Sequence, residues 1–127
     1  MPLEFIADTQ TPVVLMYSST LAHWQTFHSA IQDLLQGKVQ AFGVHQLPGW
    51  EGIGGCRLEA KLSEWDSGLW KAGEVAFECR LTRVWWDNCE GILAGFIGTG
   101  LKSGRAYLDT PFGEPNLEWC LSPDRDW

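Results

Sequence analysis

The chain has no excess of positive charge. Nine Lys and Arg stand against sixteen Asp and Glu, for a net charge of −7. Phosphate-backbone binding draws on clustered Lys and Arg, so a nucleic-acid partner is excluded. Long apolar runs are missing too. Neither Val13–Tyr17 nor Gly91–Gly98 approaches the roughly 20 residues that a membrane-spanning helix needs, so no membrane partner is expected. The opening MPLEFIADTQ has no basic n-region ahead of an apolar core.

Specific chemical motifs are also absent. Cys56, Cys79, Cys89 and Cys120 stand far apart with no C-x-x-C pair, and His23, His28 and His45 complete no zinc spacing. Neither a metal nor a cofactor is expected. The scattered cysteines fit a reduced, cytoplasmic protein, although four also allow two disulfides. There is no G-x-S-x-G elbow and no H-E-x-x-H helix. Gly95–Ser103 (GFIGTGLKS) approaches a phosphate-binding loop, but Leu101 separates Gly100 from Lys102, and a strand-like GRAYLDT follows in place of a helix. No internal repeat or low-complexity segment interrupts the chain.

What is present is an ordinary globular composition, 45% hydrophobic and 20% charged, over 127 residues, the length of one domain (1–127). Eight tryptophans are out of proportion. Each can bury roughly 150–250 Å², so a few of them dominate any core or interface they join.

The strongest periodic signal is a helix over about 20–36. Leu21, Trp24, Phe27, His28, Ile31, Leu34 and Leu35 form one stripe at 100° per residue. Ser18, Ser19 and Thr20 offer capping oxygens at its start, and Gly37 offers a stop. Strand patterns flank it at Leu3–Ala7, Val13–Tyr17, Val39–Leu47, Cys56–Leu62, Glu74–Trp86, Gly91–Gly98, Arg105–Asp109 and Asn116–Leu121. The segment 63–72 reads as a long hairpin that lets Arg57, Glu59 and Lys61 face Glu78 and Arg80. Period-two alternation fails at Val84-Trp85-Trp86, where a bulge or edge is expected. The predicted fold is α+β: one amphipathic helix on a curved, mostly antiparallel sheet of six to eight short strands.

Charge is unevenly placed. Residues 38–108 hold eight acids and eight bases, whereas 1–37 hold three acids and no Lys or Arg, and 109–127 hold five acids against Arg125. Acidic ends and surface tryptophans suit a basic protein partner, for example a toxin or nuclease face covered by an inhibitor or immunity-type protein. The residues expected to meet it are Trp50 and Glu51 in a glycine-rich loop, Trp86 and Asp87, and Glu114, Glu118, Asp124 and Asp126 of the tail. A second reading is a small-molecule binder or cofactor-free enzyme with a Trp-lined cavity between helix and sheet. His28, His45, Trp85, Tyr107 and Asp109 would line it, with a histidine and a carboxylate exchanging protons. A third is a subunit of a larger assembly. The balance of motifs leans away from an enzyme.

Overall fold

A computed structural model describes residues 2–7, 12–102, 104–108, 113–115 and 117–124. Helix α1 runs Leu21–Leu35 and buries Trp24, Phe27, Ile31 and Leu34, the stripe expected from spacing. Its start differs in detail. Thr20 stands at the N-cap with no side-chain cap bond, and the Ser18 oxygen instead accepts the Thr20 N–H at 3.0 Å, just before the helix. Its end is as read: Gly37 takes φ +74°, a conformation that costs glycine little, and donates its N–H to the Leu34 carbonyl at 3.2 Å.

The fold is α+β, but with two helices and nine strands in two mixed sheets among the described residues, where one helix on one sheet was expected. In chain order the strands are β1 (Pro2–Ile6), β2 (Val13–Tyr17), β3 (Ala41–Gly43), β4 (Glu51–Gly52), β5 (Arg57–Leu62), β6 (Gly68–Lys71), β7 (Ala76–Leu81), β8 (Ala106–Tyr107) and β9 (Glu118–Ser122). The first sheet has the order β4-β1-β2-β9-β8 and the second β3-β5-β7-β6. The segment expected to be a simple hairpin contains β6, which pairs antiparallel with β7 and leaves β5 and β7 parallel. Of the cross-strand contacts expected, Lys61–Glu78 forms, the other two ion pairs lie within single strands, and Arg57 stands opposite Ala76. Lys61 reaches Glu78 at 3.0 Å and Glu59 at 3.7 Å, and Arg80 pairs with Glu78. The Arg80 contact holds the Glu78 carboxyl below its ordinary range, with Lys61 assisting against the cost of burial.

The larger correction is helix α2, Arg83–Gly98, which replaces the end of one expected strand and the whole of another. Trp86, Cys89, Leu93 and Phe96 are its buried residues, spaced by three, four and three. A Cβ added at Gly91, Gly95 or Gly98 would meet nothing within 4 Å, so that side of the helix is open. Three glycines lower intrinsic helix propensity by about 1 kcal/mol each, so packing carries this helix. Its start is tied from a distance: Asp66 Oδ1 accepts the Thr82 N–H at 2.7 Å.

One apolar core joins both helices to the inner faces of both sheets. Phe5 of β1 and Phe77 of β7 meet at 4.8 Å and link the sheets. Trp24 packs edge-on against Trp50 at 5.0 Å and Phe96 at 4.8 Å, and Trp119 lies 5.9 Å from Phe27 and 6.5 Å from Trp86. The loop expected to hold Trp50 out in solvent instead folds it inward, 4% exposed. Gly52 makes that fold-back possible, because a Cβ there would come within 1.8 Å of the Cys56 carbonyl oxygen.

Replacing Trp86 by Ala should cost about 3–5 kcal/mol of unfolding free energy, the range for a large buried aromatic. Replacing exposed Trp65 should change it by less than about 0.5 kcal/mol. Urea unfolding of the two variants checks both, and equal losses would contradict the burial described.

All four cysteines are buried thiols outside any disulfide. Burial, helped by the charge of Glu4, pushes the Cys56 thiol up to about 11. Burial pushes Cys89 up to about 12 and raises Cys79 well above the ordinary 9.0. Raised folded-state values mean that the neutral thiols' contribution is complete below the unfolded value. It fades as pH climbs towards the folded ones. The urea midpoint should therefore fall steadily above pH 9.0 towards about 11, and a thiol reagent at neutral pH should label the cysteines only after unfolding. A flat midpoint together with fast native labelling would refute this.

Candidate functional site

The two acidic ends of the chain are neighbours in the first sheet. β1 pairs with β2, and β2 pairs in parallel with β9, so Val13 stands opposite Glu118 and Tyr17 opposite Ser122. Alternation puts Val14, Met16, Trp119 and Leu121 into the main core. The opposite face carries Glu4, Val13, Leu15, Tyr17, Glu118 and Cys120, with Tyr107 of β8 beside Cys120. Val13, Leu15 and Cys120 form a small second cluster on that face, flanked by Ile6, Tyr17 and Tyr107. The Tyr17 hydroxyl donates to Glu4 Oε1 at 3.2 Å. Burial, then the adjacent Cys120 and Glu118, raise the Tyr107 phenol above its ordinary value against the pull of Arg105.

Of the residues expected to meet a partner, Glu118 lies on this face. Glu51 is exposed on β4 at its edge, paired in register with Pro2, and exposed Asp124 follows the end of β9. Among the described residues neither Glu51 nor Glu118 forms an ion pair. Glu114 goes elsewhere: its N–H binds the Leu69 carbonyl at 2.8 Å, on the edge of the second sheet. Asp87 is exposed on α2. Trp50 and Trp86 are core residues whose indole N–H groups bind the carbonyls of His23 and Lys61, each at 2.9 Å. Asp126 lies outside the described residues, as does Asp109.

The residues expected to line a cavity stand on separate elements. His28 on α1 meets Glu90 on α2, Nε2 to Oε1 at 2.8 Å, both partly exposed. His45, in a 3₁₀ turn after β3, accepts the Leu58 N–H on Nδ1 at 3.2 Å. Trp85 is half-buried on α2, and Tyr107 is on β8. A further pair was not anticipated: Ser18 Oγ lies 3.1 Å from His23 Nδ1. That serine is 1% exposed and its oxygen accepts the Thr20 N–H in the turn before α1, so it is engaged with backbone and not placed to attack a substrate. Rings of Trp24, Trp50, Phe27, Phe96 and Trp119 occupy the space behind α1. Among the described residues no group of three or more His, Cys, Asp or Glu is placed to hold a metal ion. No helix among them is long and apolar enough to cross a membrane.

A second surface escaped the sequence reading. Two open hollows, each about 390 Å³, lie on either side of Arg83 at the start of α2. One is lined by Gln40, Leu62, Ser63 and Glu64, the other by Leu35, Val84 and Asp87. Trp65, next to Glu64 in the β5–β6 loop, and Val84 are each 76% exposed. A usable signal existed in Glu64-Trp65-Asp66, where an aromatic flanked by acids sits in a turn and has no strand face to hide on. Reading residues 63–72 as a plain linker and 84–86 as strand concealed it. No protein family, curated protein or solved structure matches this chain, so its function is argued from its own residues.

Proposed function

We propose that this chain is a non-catalytic acidic binding protein that occupies a basic surface of a protein partner in the cytosol, in the manner of an inhibitor or immunity protein. The observation that carries the reading is the β2–β9 pairing, which sets Glu118, from the late part of the chain, on the same sheet face as Glu4, from its beginning. Glu4, Glu51 and Glu118 then stand on or beside one sheet face with Tyr17 and Tyr107 among them. Acid around tyrosine suits a Lys- and Arg-bearing surface, because tyrosine supplies contact area with a hydrogen-bonding end. The second sheet behaves differently. There Lys61 and Arg80 balance Glu59 and Glu78, so the acidic field is concentrated by the fold and not spread evenly. Such a field raises association rates by steering, more than it slows dissociation. Four buried thiols outside any disulfide accord with a reducing compartment.

Immobilised wild-type protein, E51K/E118K and a control E59K variant would be used as baits against extract of the native host. A basic protein should be retained by the wild type and by E59K and lost from E51K/E118K. With that protein purified, the double variant should associate about tenfold more slowly at low salt, and the difference should shrink as salt rises. Retention of the same proteins on all three baits, or of none on the wild type, would end this reading.

A further inference from the structure

One of the two hollows at Arg83 is built from three separate stretches of chain that are tied together around it. It is lined by Gln40, Leu62, Ser63, Glu64 and Arg83 and measures about 390 Å³, within the range of small-molecule sites. The Leu62 N–H binds the Gln40 carbonyl at 2.9 Å, and the Ser63 N–H binds the Leu81 carbonyl at 3.0 Å. Asp66 Oδ1, two residues after Glu64, accepts the Thr82 N–H next to Arg83 at 2.7 Å. The backbone of the hollow is therefore set before any ligand arrives. Two opposite charges line it, Glu64 from the loop after β5 and Arg83 from α2. Both are exposed, and among the described residues neither forms an ion pair, with each other or with anything else. Ser63 Oγ accepts the Trp65 N–H at 3.2 Å and keeps its own O–H to donate. The second hollow differs: its acid, Asp87, is one turn along α2 from Arg83, where the two can close on each other without a ligand.

We infer that the hollow between Glu64 and Arg83 binds a free aliphatic amino acid as its zwitterion. The Arg83 guanidinium takes the carboxylate through two parallel N–H bonds, and the Glu64 carboxylate takes the ammonium. The Ser63 hydroxyl and the Gln40 amide supply further hydrogen bonds, and the alkyl side chain lies against Leu62. A ligand of one sign would engage one wall and displace water from the other without replacing it. A lone carboxylate would also meet the repulsion of a chain with net charge −7, whereas a zwitterion carries no net charge. The site shares no residue with Glu4, Glu51 and Glu118, and so does not depend on the function proposed above.

The probe is L-leucine, titrated into the ¹⁵N-labelled full chain and followed by the amide shifts of Ser63, Glu64 and Arg83. L-leucinamide, which lacks the carboxylate, and 4-methylpentanoate, which lacks the ammonium, are the single-charge controls. Leucine should shift those three amides saturably, and each control should bind at least about tenfold more weakly, the size of one lost charge-assisted contact. R83Q and E64Q should each weaken leucine about tenfold or more. Each alters an exposed side chain, and the same spectra report whether the fold is kept. D87N, which changes only the second hollow, and E51K/E118K should bind leucine as the wild type does. No saturable shift with leucine, a control that binds as tightly as leucine, or undiminished binding in either R83Q or E64Q would overturn the inference.

Discussion

Four buried indoles, each with its N–H engaged, hold the layers of this protein together. Trp24 on α1 donates to the Ser18 carbonyl, Trp50 to His23, Trp86 on α2 to Lys61, and Trp119 on β9 to the Met16 sulfur. A tryptophan can enter a core at full size only when its single donor is met there, since an unmet donor costs more than its bond returns. Three of these bonds end on a backbone carbonyl outside the ring's own element, so burying those rings sets the position of that backbone, while Trp119 meets a side chain of the adjacent strand. The glycine-rich loop folds inward for this reason: Trp50 reaches the His23 carbonyl and the edge of Trp24.

The strand order then decides the electrostatics. A parallel β2–β9 pair requires the chain to travel through both helices and the whole second sheet before returning. That return places Glu118 beside Val13, on the sheet face that also carries Glu4. The second sheet neutralises its own charge through Lys61, Glu59, Glu78 and Arg80. Surface charge is therefore patterned by topology, and the two candidate surfaces differ in kind. One is a sheet face with Glu4, Glu118 and two tyrosines, and the other a pair of open hollows that share Arg83.

Much of this was legible locally. The stripe Trp24, Phe27, Ile31 and Leu34, the stop at Gly37 and strand β2 all follow from spacing within short windows. Helix α2 was not. Gly91-Ile92-Leu93-Ala94-Gly95-Phe96-Ile97-Gly98 is apolar in every direction, so periods of two and of 3.6 fit it about equally well, and its glycines argue against a helix. Its real period shows only with Trp86 and Cys89 included, and its start is tied by Asp66, seventeen positions before Arg83 and across a sheet.

From its residues alone this protein is an acidic α+β chain with one amphipathic helix, an outsized tryptophan content and negative charge weighted to both ends. Those properties reside in composition and in contacts a few residues apart, where side-chain order dictates the outcome. The tertiary structure alone decided that the two ends share a sheet, that Trp50 and Trp86 face inward, and that Trp65, Val84 and Arg83 face out. Each of those depends on long-range backbone pairing and on which indole finds its acceptor, and neither is encoded within any one stretch of the chain.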